Sequence, residues 1–232
     1  METTIYLAMT AAEYMAAQTL PAHPAWMACH FSAYSTGLSN CPAYLPPHSV
    51  VMVNDRTPIW RHDPARILTQ LKQMTEDFSL AGVVLDFQRP DHWETEQLTG
   101  ILVTELGCSV AVSETYAGKF ECPVFLSTPP LHTPLKEYLQ SWDGREIWLE
   151  AVLCEETLTV TKDGCRQEEK LELSPQQLPF LDENLICRYG FKADTNQAMF
   201  TLRREKQELD MLLHRAAEMG ITKAIGLYQQ LQ

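Results

Sequence analysis

With 232 residues, 45% of them hydrophobic, the chain can bury a sizeable core, which excludes a disordered polymer and admits one large domain. A formal charge of −12 and a pI near 5.0 argue against nucleic acid as a partner and disfavour an anionic membrane surface. No apolar run approaches the roughly 20 residues that span a bilayer, the first residues lack a basic and apolar leader, and the seven cysteines include no CxxC pair; the expectation is a cytoplasmic protein with reduced thiols.

Residues 4–9 (TIYLAM) predict a first strand. Thr10 and Glu13, spaced T-x-x-E, predict a capping box opening a short Ala-rich helix, which Pro21 and Pro24 end. Residues 26–33 (WMACHFSA) predict a second strand, followed by a polar, small-residue loop over 34–47. A loop that long more often carries function than merely connects. Residues 49–54 (SVVMVN) predict a third, buried strand. Asp63-Pro64 then supplies an N-cap with proline at the first helical position, and Ile67, Leu68, Leu71, Met74 and Phe78 share one face of the helix that follows.

Next comes Leu80-Ala81-Gly82-Val83-Val84-Leu85-Asp86-Phe87-Gln88-Arg89-Pro90, an apolar run ending abruptly in an acid, an amide, a base and a proline. This is the pattern of a strand buried on both faces of a parallel sheet. Alternation puts Val84, Asp86 and Gln88 on one face, with Val83, Leu85 and Phe87 on the other. A helix over 94–106 stopped by Gly107, strands at 109–113 and 124–128, and a short helix opened by Thr133-Pro134 continue the series. Strand, loop and helix in that rhythm mean parallel βαβ units with right-handed crossovers.

From residue 146 the rhythm changes. Residues 146–154 predict a seventh strand, 157–161 and 166–173 an antiparallel hairpin around Lys162-Asp163-Gly164, and 185–189 with 198–202 a second hairpin. An amphipathic helix over 205–219 stops at Gly220, and 223–229 (KAIGLYQ) predicts an eighth strand. The expected fold is α/β: a single domain over residues 1–232, built as a (β/α)8 TIM barrel with a small antiparallel β insertion at about 155–203. An open doubly wound sheet with a β appendage is the alternative.

The C-terminal rim of such a barrel gathers Ser32, Tyr34, Asn54, Asp55, Asp86, Gln88, Glu114, Glu150, Tyr228 and Gln229. An acid-rich mouth with aromatic residues beside it suits a sugar, whose hydroxyls hydrogen-bond while its ring faces stack. Trp60 and Trp93, in the loops after the third and fourth strands, are the candidate stacking platforms. Seven scattered histidines without H-x-H or H-x-x-x-H spacing suggest no metal site, and no phosphate or dinucleotide loop calls for a cofactor.

Residues 81–88, Ala-Gly-Val-Val-Leu-Asp-Phe-Gln, resemble the fourth-strand signature of glycoside hydrolase family 18, the chitinase-like TIM barrels. That signature runs D-G-hydrophobic-D-hydrophobic-D-aromatic-E. Gly82, the hydrophobic positions, Asp86 and Phe87 match; Ala81, Val84 and Gln88 stand where the family has acids. The resemblance puts Gln88 in the place of the general acid and Asp86 where a carboxylate orients the substrate's acetamido group. A carboxamide has no proton to give near neutrality, so family-type hydrolysis is expected to be silent while binding survives.

Asp86 and Gln88 are therefore the candidate catalytic positions, Gln88 inactive. Tyr34, Asn54, Asp55, Trp93, Glu114, Glu150 and Tyr228 are the candidate ligand contacts, for a carbohydrate or other small polar molecule. Two alternatives stand beside this. One is an active glycoside hydrolase with a relocated carboxylate pair, Asp86 with Glu114, Glu150 or Asp55, at the roughly 5–5.5 Å of retaining enzymes or the ~6.5–9.5 Å of inverting ones. The other is an interaction protein working through its β insertion, whose edges a second copy can extend into a homo-oligomer.

Overall fold

The computed structural model describes residues 3–57, 62–90, 92–170, 174 and 177–231. Contacts divide the chain into two compact units. One holds Thr4–Ser127, Gly144–Glu150 and the segment from Ile221 onward; the other holds Thr128–Asp143 and Ala151–Gly220.

In the first unit, β1 (Thr4–Met9) leads into α1 (Ala11–Ala16) through the predicted capping box: Thr10 Oγ1 accepts from the Glu13 amide at 3.2 Å, and Glu13 Oε2 accepts from the Thr10 amide at 2.7 Å. β2 (Pro24–Phe31) starts at a proline, tolerated where a strand begins. β3 (Leu38–Ser39) folds back antiparallel on β2, a short pairing inside what the sequence presents as bare loop. β4 (Val50–Asn54) and α2 (Pro64–Phe78) follow, with Asp63 Oδ1 accepting from the Ala65 amide and Ile67, Leu71 and Met74 buried. Then come β5 (Gly82–Asp86), α3 (Trp93–Glu105), β6 (Val110–Ser113), α4 (Glu114–Ala117) and β7 (Val124–Leu126).

α5 (Leu135–Leu139) belongs to the second unit, and β8 (Ile147–Glu150) returns to the first. The predicted seventh strand stops at Glu150: Ala151 and Val152 stay buried without joining the ladder, so the continuing apolar run hides the break. The second unit then forms β9 (Cys154–Thr161), β10 (Gly164–Lys170), β11 (Phe180–Asp182), β12 (Cys187–Ala193), β13 (Gln197–Arg204) and α6 (Lys206–Glu218). Its five strands are antiparallel, in the order β10-β9-β13-β12-β11. This is the expected insertion, with two differences. The strand expected at 185–189 begins at Cys187, because the Asp182 carboxylate accepts the amides of Asn184 and Leu185, both at 2.9 Å, and turns the chain there; β11, before that turn, is additional. Residues 171–173 of the expected hairpin lie outside the described residues.

β14 (Lys223–Leu227) returns to the barrel and stops two residues short of the prediction, because Tyr228 opens α7 (Tyr228–Leu231). Eight parallel strands, β1-β2-β4-β5-β6-β7-β8-β14, close on β1. The TIM barrel is therefore the fold, β5 is its fourth strand, and the open sheet is not adopted. Tyr6, Met52, Val84, Ala111, Phe125, Trp148 and Ile225 pack in one cluster inside it. Gly82 is required by that packing: a Cβ there would stand 2.6 Å from the Ser109 carbonyl oxygen and 2.8 Å from the Trp148 ring. Among the described residues no helix is long and apolar enough to cross a membrane.

Candidate functional site

β4 and β5 run in register, with Met52 beside Val84 and Asn54 beside Asp86. Met52 and Val84 belong to the barrel's internal cluster, so Asn54 and Asp86, two residues further along, also face inward at the C-terminal end. His30 joins this layer opposite Asn54. It does so because β2 carries one extra residue between Trp26 and Cys29, which reverses the alternation beyond it. Without that bulge His30 would sit on the outer face, which is why simple alternation in the sequence misses it. Its Nδ1 lies 3.0 Å from the Ala28 carbonyl oxygen.

Asp86 is half-buried and Gln88 exposed, and the Gln88 amide Nε2 donates to Asp86 Oδ1. Burial pushes the Asp86 carboxyl above the ordinary aspartate value. The Gln88 hydrogen bond pulls it down, the neighbouring Asp55 pushes it up and Arg56 lowers it, and the net direction is upward.

The loop after β5 is clamped from several sides. Asp55, only 7% exposed, accepts the Gln88 amide on Oδ1 at 3.2 Å and the Arg89 amide on Oδ2 at 2.9 Å. Ser113 Oγ donates to the Phe87 carbonyl at 2.6 Å. The Tyr116 hydroxyl donates to the Arg89 carbonyl and accepts the His92 amide at 3.3 Å, while the Arg89 guanidinium donates to the Arg56 carbonyl. Gln88 is therefore held by its backbone on both sides. The sequence gives no local signal for Ser113 and Tyr116, since their partners are carbonyls and amides 24 to 27 positions away.

The other expected site residues fall into two groups. Asn54 and Asp55 join Asp86 and Gln88, but through the backbone: Asn54 Nδ2 donates to the Cys29 carbonyl at 3.2 Å and its Oδ1 accepts the Arg56 amide at 3.2 Å. Both oxygens of Asp55 are engaged by the loop, so its geometry is that of a positioning residue. The remaining residues lie at the same end of the barrel. Glu114, exposed, opens α4 and accepts from Ser127 Oγ at 3.2 Å. Glu150 ends β8 on the inward face it shares with Trp148. Tyr228 is half-buried and Gln229 exposed at the start of α7.

Tyr34 is fully exposed in the loop after β2, where Ser32 Oγ accepts its amide at 3.1 Å and that of Ser35 at 3.0 Å. Trp93 is 68% exposed at the first position of α3. Trp60 lies outside the described residues. Among the described residues no group of three or more His, Cys, Asp or Glu side chains is arranged to hold a metal ion.

A closed parallel barrel with an inserted antiparallel sheet defines the class by fold: a TIM barrel. It is similar to the spore cortex-lytic enzyme SleL of Bacillus cereus, at 9% identity and a TM-score of 0.62, over 100% of this chain and 72% of that one. It is also similar to the chitinase of Chromobacterium violaceum ATCC 12472, at 8% identity and a TM-score of 0.56, over 99% of this chain and 95% of that one. At such identities the likeness is one of fold. No family model matches the sequence, and no curated protein matches it.

Proposed function

We propose that the C-terminal mouth of the barrel binds a carbohydrate, or a ligand of similar polarity, without hydrolysing it by the family 18 route. The observation that carries this reading is the exposed carboxamide of Gln88, bonded to Asp86 at the end of the fourth barrel strand. In a glycoside hydrolase that position must hand a proton to the departing oxygen. Gln88 can donate a hydrogen bond to such an oxygen and accept one from a hydroxyl, but it has no transferable proton. General acid catalysis contributes typically about 10²–10⁴-fold, so its loss leaves binding and removes turnover.

The surroundings fit a sugar. Asp86 offers a carboxyl poised between burial and hydrogen bonding. Trp93, opening α3, and Tyr34, on the loop after β2, carry exposed rings at the same end of the barrel, and their faces suit the apolar side of a pyranose. Asp55, Ser113 and Tyr116 fix the loop, so little ordering cost remains at binding. The barrel's similarity to a chitinase and to a cortex-lytic enzyme guides the choice of ligands. Calorimetric titration with chitin and peptidoglycan fragments should give saturable heat, weakened at least tenfold by Asp86→Ala. An absence of heat at millimolar ligand would remove the proposal.

One observation favours a second reading. A carboxyl lifted by burial is what a general acid needs, and Asp86 is lifted. In that reading Asp86 works with Glu150, which shares the inward face, or with Glu114. It predicts turnover of an aryl glycoside that Asp86→Asn abolishes, and silence across a panel of aryl glycosides retires it.

A further inference from the structure

Two cysteines that the proposed site does not use lie side by side in the barrel unit. Cys29 is on β2 and wholly buried; Cys41 is half-buried, two residues beyond β3. The return of β3, with Ser39 against His30 and Leu38 against Phe31, carries Cys41 diagonally across from Cys29, and their sulfurs are 3.8 Å apart. Asn40, between β3 and Cys41, takes a left-handed backbone with φ 54°, and its carbonyl accepts from Trp26 Nε1 at 2.7 Å. The approach of Cys41 to β2 is thus anchored by the three residues just before it.

We propose that Cys29 and Cys41 are a reversible disulfide site that latches the β2–β3 hairpin, with a small-molecule disulfide such as oxidised glutathione as oxidant. A bonded pair needs the sulfurs at ~2.05 Å, an approach of about 1.8 Å from their separation of 3.8 Å. Other cysteines have different neighbours: Cys108 faces the Thr75 hydroxyl at 3.8 Å, and Cys187 donates to the Leu131 carbonyl at 3.7 Å.

The pair is also polarised. The hydrogen bond between the two sulfurs, together with burial, raises the Cys29 thiol well above the ordinary cysteine value, and the same bond lowers that of Cys41. Cys41 is the half-buried member, so the group that solvent reaches is also the better nucleophile.

The step balances. The Cys41 thiolate attacks one sulfur of glutathione disulfide, forming a mixed disulfide and expelling one glutathione thiolate, which takes up the proton Cys41 released. Cys29 then bonds to Cys41 Sγ as it loses its own proton. The second glutathione departs with the electron pair of the broken bond and picks that proton up. Two thiols lose two electrons, and one glutathione disulfide becomes two glutathiones. The new bond closes residues 29–41, the segment that displays Tyr34.

The test uses the full chain, folded, incubated with oxidised glutathione, then alkylated and digested. The expected product has lost two hydrogens and yields a cross-linked peptide joining Cys29 to Cys41, reversed by dithiothreitol. Its melting temperature rises by about 6 °C or more, from the shorter unfolded loop. Cys29→Ala should instead trap a glutathione adduct on Cys41, and if that variant does not fold, the wild-type peptide map decides alone. Glutathione remaining on Cys41 of the wild-type protein, or free alkylation of both thiols after the oxidant, overturns the proposal.

Discussion

Asp55→Ala tests the clamp beneath the site. The carboxylate is buried and accepts two consecutive amides, those of Gln88 and Arg89. Hydrogen bonds to a charged group contribute about 1.5–3 kcal/mol each. Gln88 is exposed, so water replaces part of its bond, whereas the half-buried Arg89 amide recovers less. The net loss is then about 3 kcal/mol. At about 2–4 °C per kcal/mol for a chain of this size, the melting temperature should fall by about 6–12 °C. Asp55→Asn keeps one acceptor oxygen and should lose about half as much. Differential scanning calorimetry reads the melting temperature directly. Removing the Asp55 charge should also lower the Asp86 pKa, because Asp55 is one of the groups that raise it. A melting temperature within about 1 °C of wild type for Asp55→Ala would refute the clamp.

Gly82→Ala forces a methyl onto the Ser109 carbonyl and the Trp148 ring, and should cost about 1–3 kcal/mol in chemical denaturation with an unchanged m-value. Asp86 titrates above its unfolded value, so its charged form is disfavoured in the folded state: the associated stability is present below the unfolded pKa and lost as pH rises through the folded one. Asp86→Asn should therefore melt higher than wild type at neutral pH, with the gap closing in acid; a constant gap would contradict this. In the second unit, the buried Arg204 donates to the carbonyls of Pro129, Leu185 and Ile186. Arg204→Ala leaves those carbonyls unpartnered and should cost about 3–5 kcal/mol by thermal denaturation of that unit.

How far the sequence reveals this molecule depends on the range of the interactions involved. β5 is legible because burial on both faces writes a continuous apolar run, cut off where Asp86 reaches the rim. The Thr10–Glu13 box and the Asp63-Pro64 cap are local, and both form as predicted. Strands of two or three residues, such as β3 and β11, are too short to leave a period. β8 ends inside an apolar stretch whose continuation packs elsewhere.

The site divides in the same way. Asp86 and Gln88 are visible because they interrupt a buried run. The work of Asp55 is not, since it is done on backbone amides 33 and 34 residues away. His30 is hidden by a bulge that only the pairing of β2 with β4 discloses. Gly82 matches a motif by type, but its reason is the approach of Ser109, just before β6, and of Trp148 on β8.

The most direct measurement follows binding and cleavage together: wild-type protein titrated with a chitin oligosaccharide, and the same sample then assayed for new reducing ends. A saturable heat with the oligosaccharide recovered intact is the predicted result. Release of shortened sugar by the wild-type chain would contradict the account, because Gln88 has no proton to give and another group, such as Asp86, would have to supply it.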